Sequence, residues 1–139
     1  MSKEHETELT IRLDVVVTDE DIDDIMGTAL DCSISYWANE AEVVGDYLGE
    51  YASEQISRGG TVKIHLVEPI KDGGATVYEL TKEKFMKGLR KYLQDPCSPY
   101  NIIYFNDARQ RMELDTGNAD AVVCDMIIQY ALFDEIVFA

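Results

Sequence analysis

Leu9, Ile11, Leu13, Val15 and Val17 alternate with Thr10, Arg12 and Asp14, the period-two pattern of a half-buried strand. Thr18 then stands as a helix N-cap. Asp19, Glu20 and Asp21 follow it and complement the dipole of a first turn, and Ile22, Ile25, Met26, Ala29 and Leu30 recur at helical spacing. The pattern predicts a helix to about Leu30. Residues 31–38 break the periodicity and read as a connection that delivers Tyr36 and Trp37, the latter as a core anchor. From Asn39 to Arg58 the spacing predicts a second helix, with Val44, Tyr47, Leu48, Tyr51 and Ala52 on one apolar face and Ile56 continuing it. A neighbouring stripe, Ala41, Gly45, Gly49 and Ser53 at four-residue spacing, carries almost no side chain. Each interior glycine costs a helix about 1 kcal/mol, so the stripe implies close approach by another element of the fold, by a ligand or by a second subunit. Arg58 falls in the last turn, where a cation suits the dipole, and Gly59-Gly60 form a C-cap that takes positive φ.

Val62, Ile64 and Leu66 then alternate with Lys63 and His65, and a second extended piece runs from Ala75 to Leu80. Glu68 to Gly74, with Pro69 and Asp-Gly-Gly, closes them into a β-hairpin. Thr81 caps a third helix whose Phe85, Met86, Leu89 and Leu93 face inward, while Lys82, Lys84, Lys87, Arg90 and Lys91 face outward. Asp95-Pro96 ends it. Tyr100 to Phe105 reads as a short strand, Asn106 to Arg111 as a polar excursion, and Asn118 opens a last, deeply buried helix through Val122, Val123, Met126, Ile127, Tyr130 and Ala131. Ile136 to Phe138 is placed at a sheet edge. The expected fold is α+β: about four helices packed on a small antiparallel or mixed sheet, in one compact domain over residues 9–139 behind a flexible tail at 1–8.

Charge narrows the function classes. The 139 residues carry 27 acids against 12 Lys and Arg, a net charge of −15, which disfavours direct nucleic-acid binding because that affinity comes mostly from phosphate neutralisation. The same charge either keeps a small protein soluble or steers it to basic surfaces. No apolar run approaches membrane-spanning length, and the polar, acidic start lacks the plan of a secretory signal, so a cytoplasmic location is expected. Cys32, Cys97 and Cys124 are too few and too scattered for a disulfide framework or a zinc motif, and Cys124 is placed in the core.

The common phosphate-loop, dinucleotide, nucleophile-elbow, zinc-protease and calcium-loop patterns are absent. With only His5 and His65, of which His65 falls on the polar side of its strand, no histidine acid–base pair assembles. Neither enzyme activity, metal nor cofactor is expected. What remains is a binding constellation. Tyr36, Trp37, Tyr47 and Tyr51 offer stacking faces, Arg58 lies beside the amides of Gly59 and Gly60, and Arg109 and Arg111 share a loop. Such groups suit a phosphate-bearing nucleotide; equally, the aromatic residues can fill a core.

Tyr36-Trp37 and the run Glu42-Val43-Val44-Gly45-Asp46-Tyr47-Leu48-Gly49-Glu50-Tyr51-Ala52-Ser53-Glu54-Gln55-Ile56-Ser57-Arg58-Gly59-Gly60, with Asp21-Ile22-Asp23-Asp24-Ile25-Met26 before it and Ile128-Gln129-Tyr130-Ala131-Leu132-Phe133 near the end, resemble small acidic accessory proteins of phages and mobile elements of Gram-positive (Firmicutes) gut bacteria. The resemblance implies a counter-defence protein that acts by binding, and it brings no catalytic residues. The preferred expectation is sequestration of a phosphate-bearing nucleotide immune signal, with a homo-oligomer able to complete the pocket. The alternatives are an acidic inhibitor that occludes the nucleic-acid surface of a basic host defence nuclease, in the manner of an anti-CRISPR protein, or a phage accessory or structural protein.

Overall fold

The computed structural model describes residues 4–139. Thr18 caps as its position predicts: its Oγ1 accepts from the Asp21 amide at 3.1 Å, and the Asp21 carboxylate accepts from the Thr18 amide at 2.9 Å. This capping box opens α1 (Asp19–Thr28), which buries Ile22, Ile25 and Met26 and runs on through a π-type turn at Ala29–Ser33. Thr81 likewise caps α2 (Lys82–Gln94), whose Phe85, Leu89 and Tyr92 are buried. Met86, expected inside, is partly exposed, because the α2 face packed on the core is centred on Phe85, Gly88, Leu89 and Tyr92. Asp120 caps α3 (Ala121–Phe133), accepting from the Val123 amide at 3.0 Å. The α2 and α3 backbones touch at Gly88, where a Cβ would stand 2.5 Å from the Ile127 carbonyl oxygen and 2.6 Å from the Ala131 nitrogen.

Two sheets complete the α+β domain. β2 (Ala38–Val43), β3 (Val62–Leu66) and β4 (Val77–Leu80) form an antiparallel sheet in that order, with Ala41 and Tyr78 on either side of Ile64. Val62, Ile64 and Leu66 point into the core, as the alternation predicts. The second sheet has the order β1 (Val15–Val16), β6 (Arg111–Leu114), β5 (Ile103–Asn106); β1 runs parallel to β6, and β5 pairs antiparallel with it. One hydrophobic cluster joins both sheets to the three helices.

Several expectations are corrected. Among the described residues there are three helices rather than four, because the helix expected from Asn39 to Arg58 is absent. Residues 38–43 are β2, in which Ala41 and Val43 turn inward while Glu40 and Glu42 turn out; a short apolar alternation was hidden inside the helical spacing. Gly45 at φ +74° cannot continue a helix, and only a single 3-10 turn forms, at Ala52–Glu54. Ala41, Gly45, Gly49 and Ser53 therefore make no stripe. Leu9, Ile11 and Leu13 are exposed, since β6 offers partners only to Val15 and Val16. Of the expected tail, residues 1–3 lie outside the described residues and 4–8 are exposed without regular structure. The polar excursion at 106–111 is a hairpin turn whose Arg111 begins a strand that the sequence reading missed. Residues 136–138 form no strand; their backbone is held by Gln129 instead.

Candidate functional site

The candidate residues fall into three separately held groups. Tyr36 and Trp37 converge on α3. The Trp37 indole donates to Asp125 Oδ1 and the Tyr36 hydroxyl to Asp125 Oδ2, both at 2.7 Å, and Gln129 Nε2 donates to Asp125 Oδ1 at 3.1 Å. Gln129, fully buried, also accepts from the amides of Val137 and Phe138 and donates to the Phe138 carbonyl. Phe138 stacks on Trp37 at 5.3 Å between centroids. Trp37 is thus the core anchor expected of it, and its ring has no free face to offer a base. Partial burial, and then the bond to Asp125, push the Tyr36 hydroxyl up to about 12.

The second group is the segment 44–60, which the side chains of two residues organise. Gln55, buried, accepts from the Leu48 amide at 3.0 Å and donates to the Asp46 carbonyl at 3.2 Å. Glu54 accepts from the amides of Glu50 and Tyr51 at 2.9 and 3.0 Å and pairs with Arg58 Nη1 at 3.2 Å. The Tyr51 amide first, with Arg58 and Glu50 adding to it, holds the Glu54 carboxyl below its ordinary value. Gly49 lies under this pair, since a Cβ there would meet Arg58 Nη1 at 2.5 Å. The amides of Gly59 and Gly60 close the turn onto the carbonyls of Ile56 and Gln55, so they present no anion-binding nest. The loop is pinned by its own side chains in the manner of an Ω-loop, yet it holds Val44, Tyr47, Leu48 and Tyr51 outward at 41, 59, 49 and 62 % exposure. Tyr51, Ala52 and Ser53 also form one wall of an open groove of about 540 Å³, whose α1 side carries Asp23, Asp24 and Asp31.

The third group surrounds Glu113 on β6. Its carboxylate accepts from Arg111 Nε at 2.6 Å, Asn106 Nδ2 at 2.7 Å and the Tyr104 hydroxyl at 3.1 Å, with Arg109 Nη1 at 3.4 Å. The Asn106 bond, then Arg111, bring Glu113 down to about 2. Arg109 and Arg111 are therefore spoken for.

A fourth cluster drew no attention in the sequence beyond His65. On the outer face of the first sheet, His65 Nε2 lies 2.9 Å from Glu42 Oε1 and 3.9 Å from Glu40 Oε2. The signal was available only once β2 was recognised as a strand, because Glu40 and Glu42 share a face at period two and not at helical period.

No family model matches this chain, and neither a curated protein nor a solved structure is found similar to it. No helix among the described residues is long and apolar enough to cross a membrane.

Proposed function

We propose that the protein is a non-enzymatic binding protein that docks the 44–51 loop and its acidic surroundings onto a basic surface of another protein. The observation that carries this reading is the loop itself: four large apolar side chains held out to solvent by a backbone that Gln55 and Glu54 pin in place. Large exposed apolar groups set among polar ones mark interaction sites, and tyrosines are favoured anchors of such interfaces. A pinned loop also loses less conformational freedom on binding. Around it stand Glu42, Asp46, Glu50 and the groove acids Asp23, Asp24 and Asp31, which supply complementarity to a cationic partner and speed its approach.

The resemblance to phage and mobile-element proteins gives the partner a class: a host defence nuclease whose nucleic-acid groove is basic, and which loses its substrate when an acidic protein fills that groove. Sequestration of a nucleotide has less support. Arg58, Arg109 and Arg111 each face a carboxylate, so a phosphate must compete with Glu54 or Glu113, and the groove beside Tyr51 would repel it.

Affinity capture from a lysate of a Gram-positive gut bacterium, in a series of salt concentrations, tests the reading. A nucleic-acid-binding protein retained at low salt should elute as the Debye length falls from about 10 Å at 0.1 M to about 3 Å at 1 M. Recovery of none, alongside calorimetric binding of a cyclic or ADP-ribose-derived nucleotide, would move the account to the nucleotide reading.

A further inference from the structure

We propose that Glu40, Glu42 and His65 form a binding site for a divalent transition-metal ion. The strands place the three side chains. Glu40 and Glu42 are two apart on β2 and leave the same face of the sheet, and His65 stands opposite Glu40 on β3, in the register that follows an irregularity between Ala38 and Glu40. Their ligand atoms all lie within 4.8 Å of one another. Zinc holds imidazole nitrogen and carboxylate oxygen at about 2.0–2.2 Å, so its neighbouring ligand atoms stand roughly 3–4 Å apart. The His65–Glu40 separation of 3.9 Å fits that spacing, and the 2.9 Å hydrogen bond between His65 Nε2 and Glu42 Oε1 lies just below it, so an ion would take the place of that bond's proton.

The donor set selects the class of ion. One imidazole and two carboxylates suit Zn2+, Co2+, Ni2+ or Mn2+, whereas Ca2+ asks for about six to eight oxygens. Electrostatics favour the same conclusion. The register puts Lys63 opposite Glu42 and Glu79 opposite Lys63 on this face, so carboxylates outnumber the one lysine there, and among the described residues no ion pair joins Lys63 to Glu40 or Glu42. A bound cation offsets the repulsion between the two glutamates. Because the ligands come from paired strands rather than from a mobile loop, little ordering is needed on binding. The side chains of Glu40 and Glu42 are 61 and 50 % exposed, which leaves coordination positions open to water or to a donor from outside, the arrangement of three protein ligands and a vacancy found in non-structural zinc sites.

The test uses the full chain, stripped with a chelator and titrated separately with zinc and manganese salts, followed by calorimetry and by the His65 ring resonances in NMR. The expected result is saturable binding of one ion per chain that moves the His65 resonances with zinc and broadens them with paramagnetic manganese. His65→Ala and Glu42→Gln should each weaken it at least about 10–100-fold, the loss typical even of residues that only support a ligand. His5→Ala and the double variant Cys32→Ser/Cys97→Ser, which remove the competing donors, should leave the affinity unchanged. His65 resonances that stay put in excess zinc, or an affinity that survives His65→Ala, would overturn the proposal. The first readout needs no variant, so it stands even if a substitution disturbs the sheet.

Discussion

The Trp37 indole N–H donates to Asp125 Oδ1 at 2.7 Å with both residues buried, and the Tyr36 hydroxyl takes the other oxygen of the same carboxylate. Two consecutive residues that enter β2 are thereby fixed to α3. Asp125→Leu removes the acceptor and leaves the indole donor orphaned, at a cost of at least about 1–3 kcal/mol. Asp125→Asn should cost less, since its amide oxygen still accepts from Trp37 and its NH2 can donate to the Tyr36 oxygen. Urea unfolding followed by Trp37 fluorescence gives the ranking; equal losses would mean that the carboxylate is not satisfying the indole.

Stability should fall on the alkaline side. Burial, followed by the bond to Asp95, pushes Tyr130 up to about 12, and burial with Asp120 nearby pushes Cys124 up to about 12. A group whose folded pKa is raised favours the fold below its unfolded pKa, and that contribution is lost as pH climbs to the folded value. The window therefore opens near 9.0 for Cys124 and near 10.0 for Tyr130 and Tyr36, and closes near 12. Glu113, brought down to about 2, works in the opposite direction: its contribution is present above 4.5 and disappears as pH drops through about 2. Denaturant midpoints across pH should show both limbs, and Glu113→Gln should flatten the acid one.

Gly88→Ala should destabilise the protein. A better helix former gains about 1 kcal/mol at most, but the added methyl meets α3 backbone at 2.5 and 2.6 Å, and overpacking of that kind costs about 1–3 kcal/mol. A melting temperature at or above that of wild type would show that α2 and α3 part easily.

Gln55→Leu should free the 44–51 loop while sparing the core, because the lost bonds go to Leu48 and Asp46 rather than to the sheets. The expected cost is about 1–3 kcal/mol for the unmade pairs, with faster amide exchange at Leu48 and weaker partner binding. Unchanged exchange at Leu48 would mean that the loop is held by something other than Gln55.

Signals confined to a few residues were readable in the sequence. Thr18 and Thr81 act on amides three residues away, and β3 and β4 are neighbours in the chain joined by the single connection at 67–76, so the capped helices and the hairpin needed no knowledge of the rest. The segment 38–58 was misread because its partner is distant: β2 exists through pairing with β3, and apolar residues at 44, 47, 48 and 51 recur at helical spacing although the fold leaves them exposed. Close approach was sought at Gly45 and Gly49: Gly45 is open, Gly49 is crowded only by Arg58 and Glu54 of its own loop, and the approach of one helix to another occurs at Gly88. The Trp37–Asp125 bond joins residues 88 apart and has no local signature. The groups around Glu113 lie within nine residues of it, and recognising the β5–β6 hairpin would have gathered them.

The most direct measurement of the docking account is a side-by-side capture from the same low-salt lysate with wild type and with Tyr47→Ser/Tyr51→Ser. Both tyrosines are exposed, so the double variant should keep its melting temperature. The account predicts that wild type retains a basic nucleic-acid-binding protein and that the variant loses it, by at least the roughly 2 kcal/mol, or about thirtyfold in affinity, that defines an anchoring residue. Equal retention by the two proteins would contradict it.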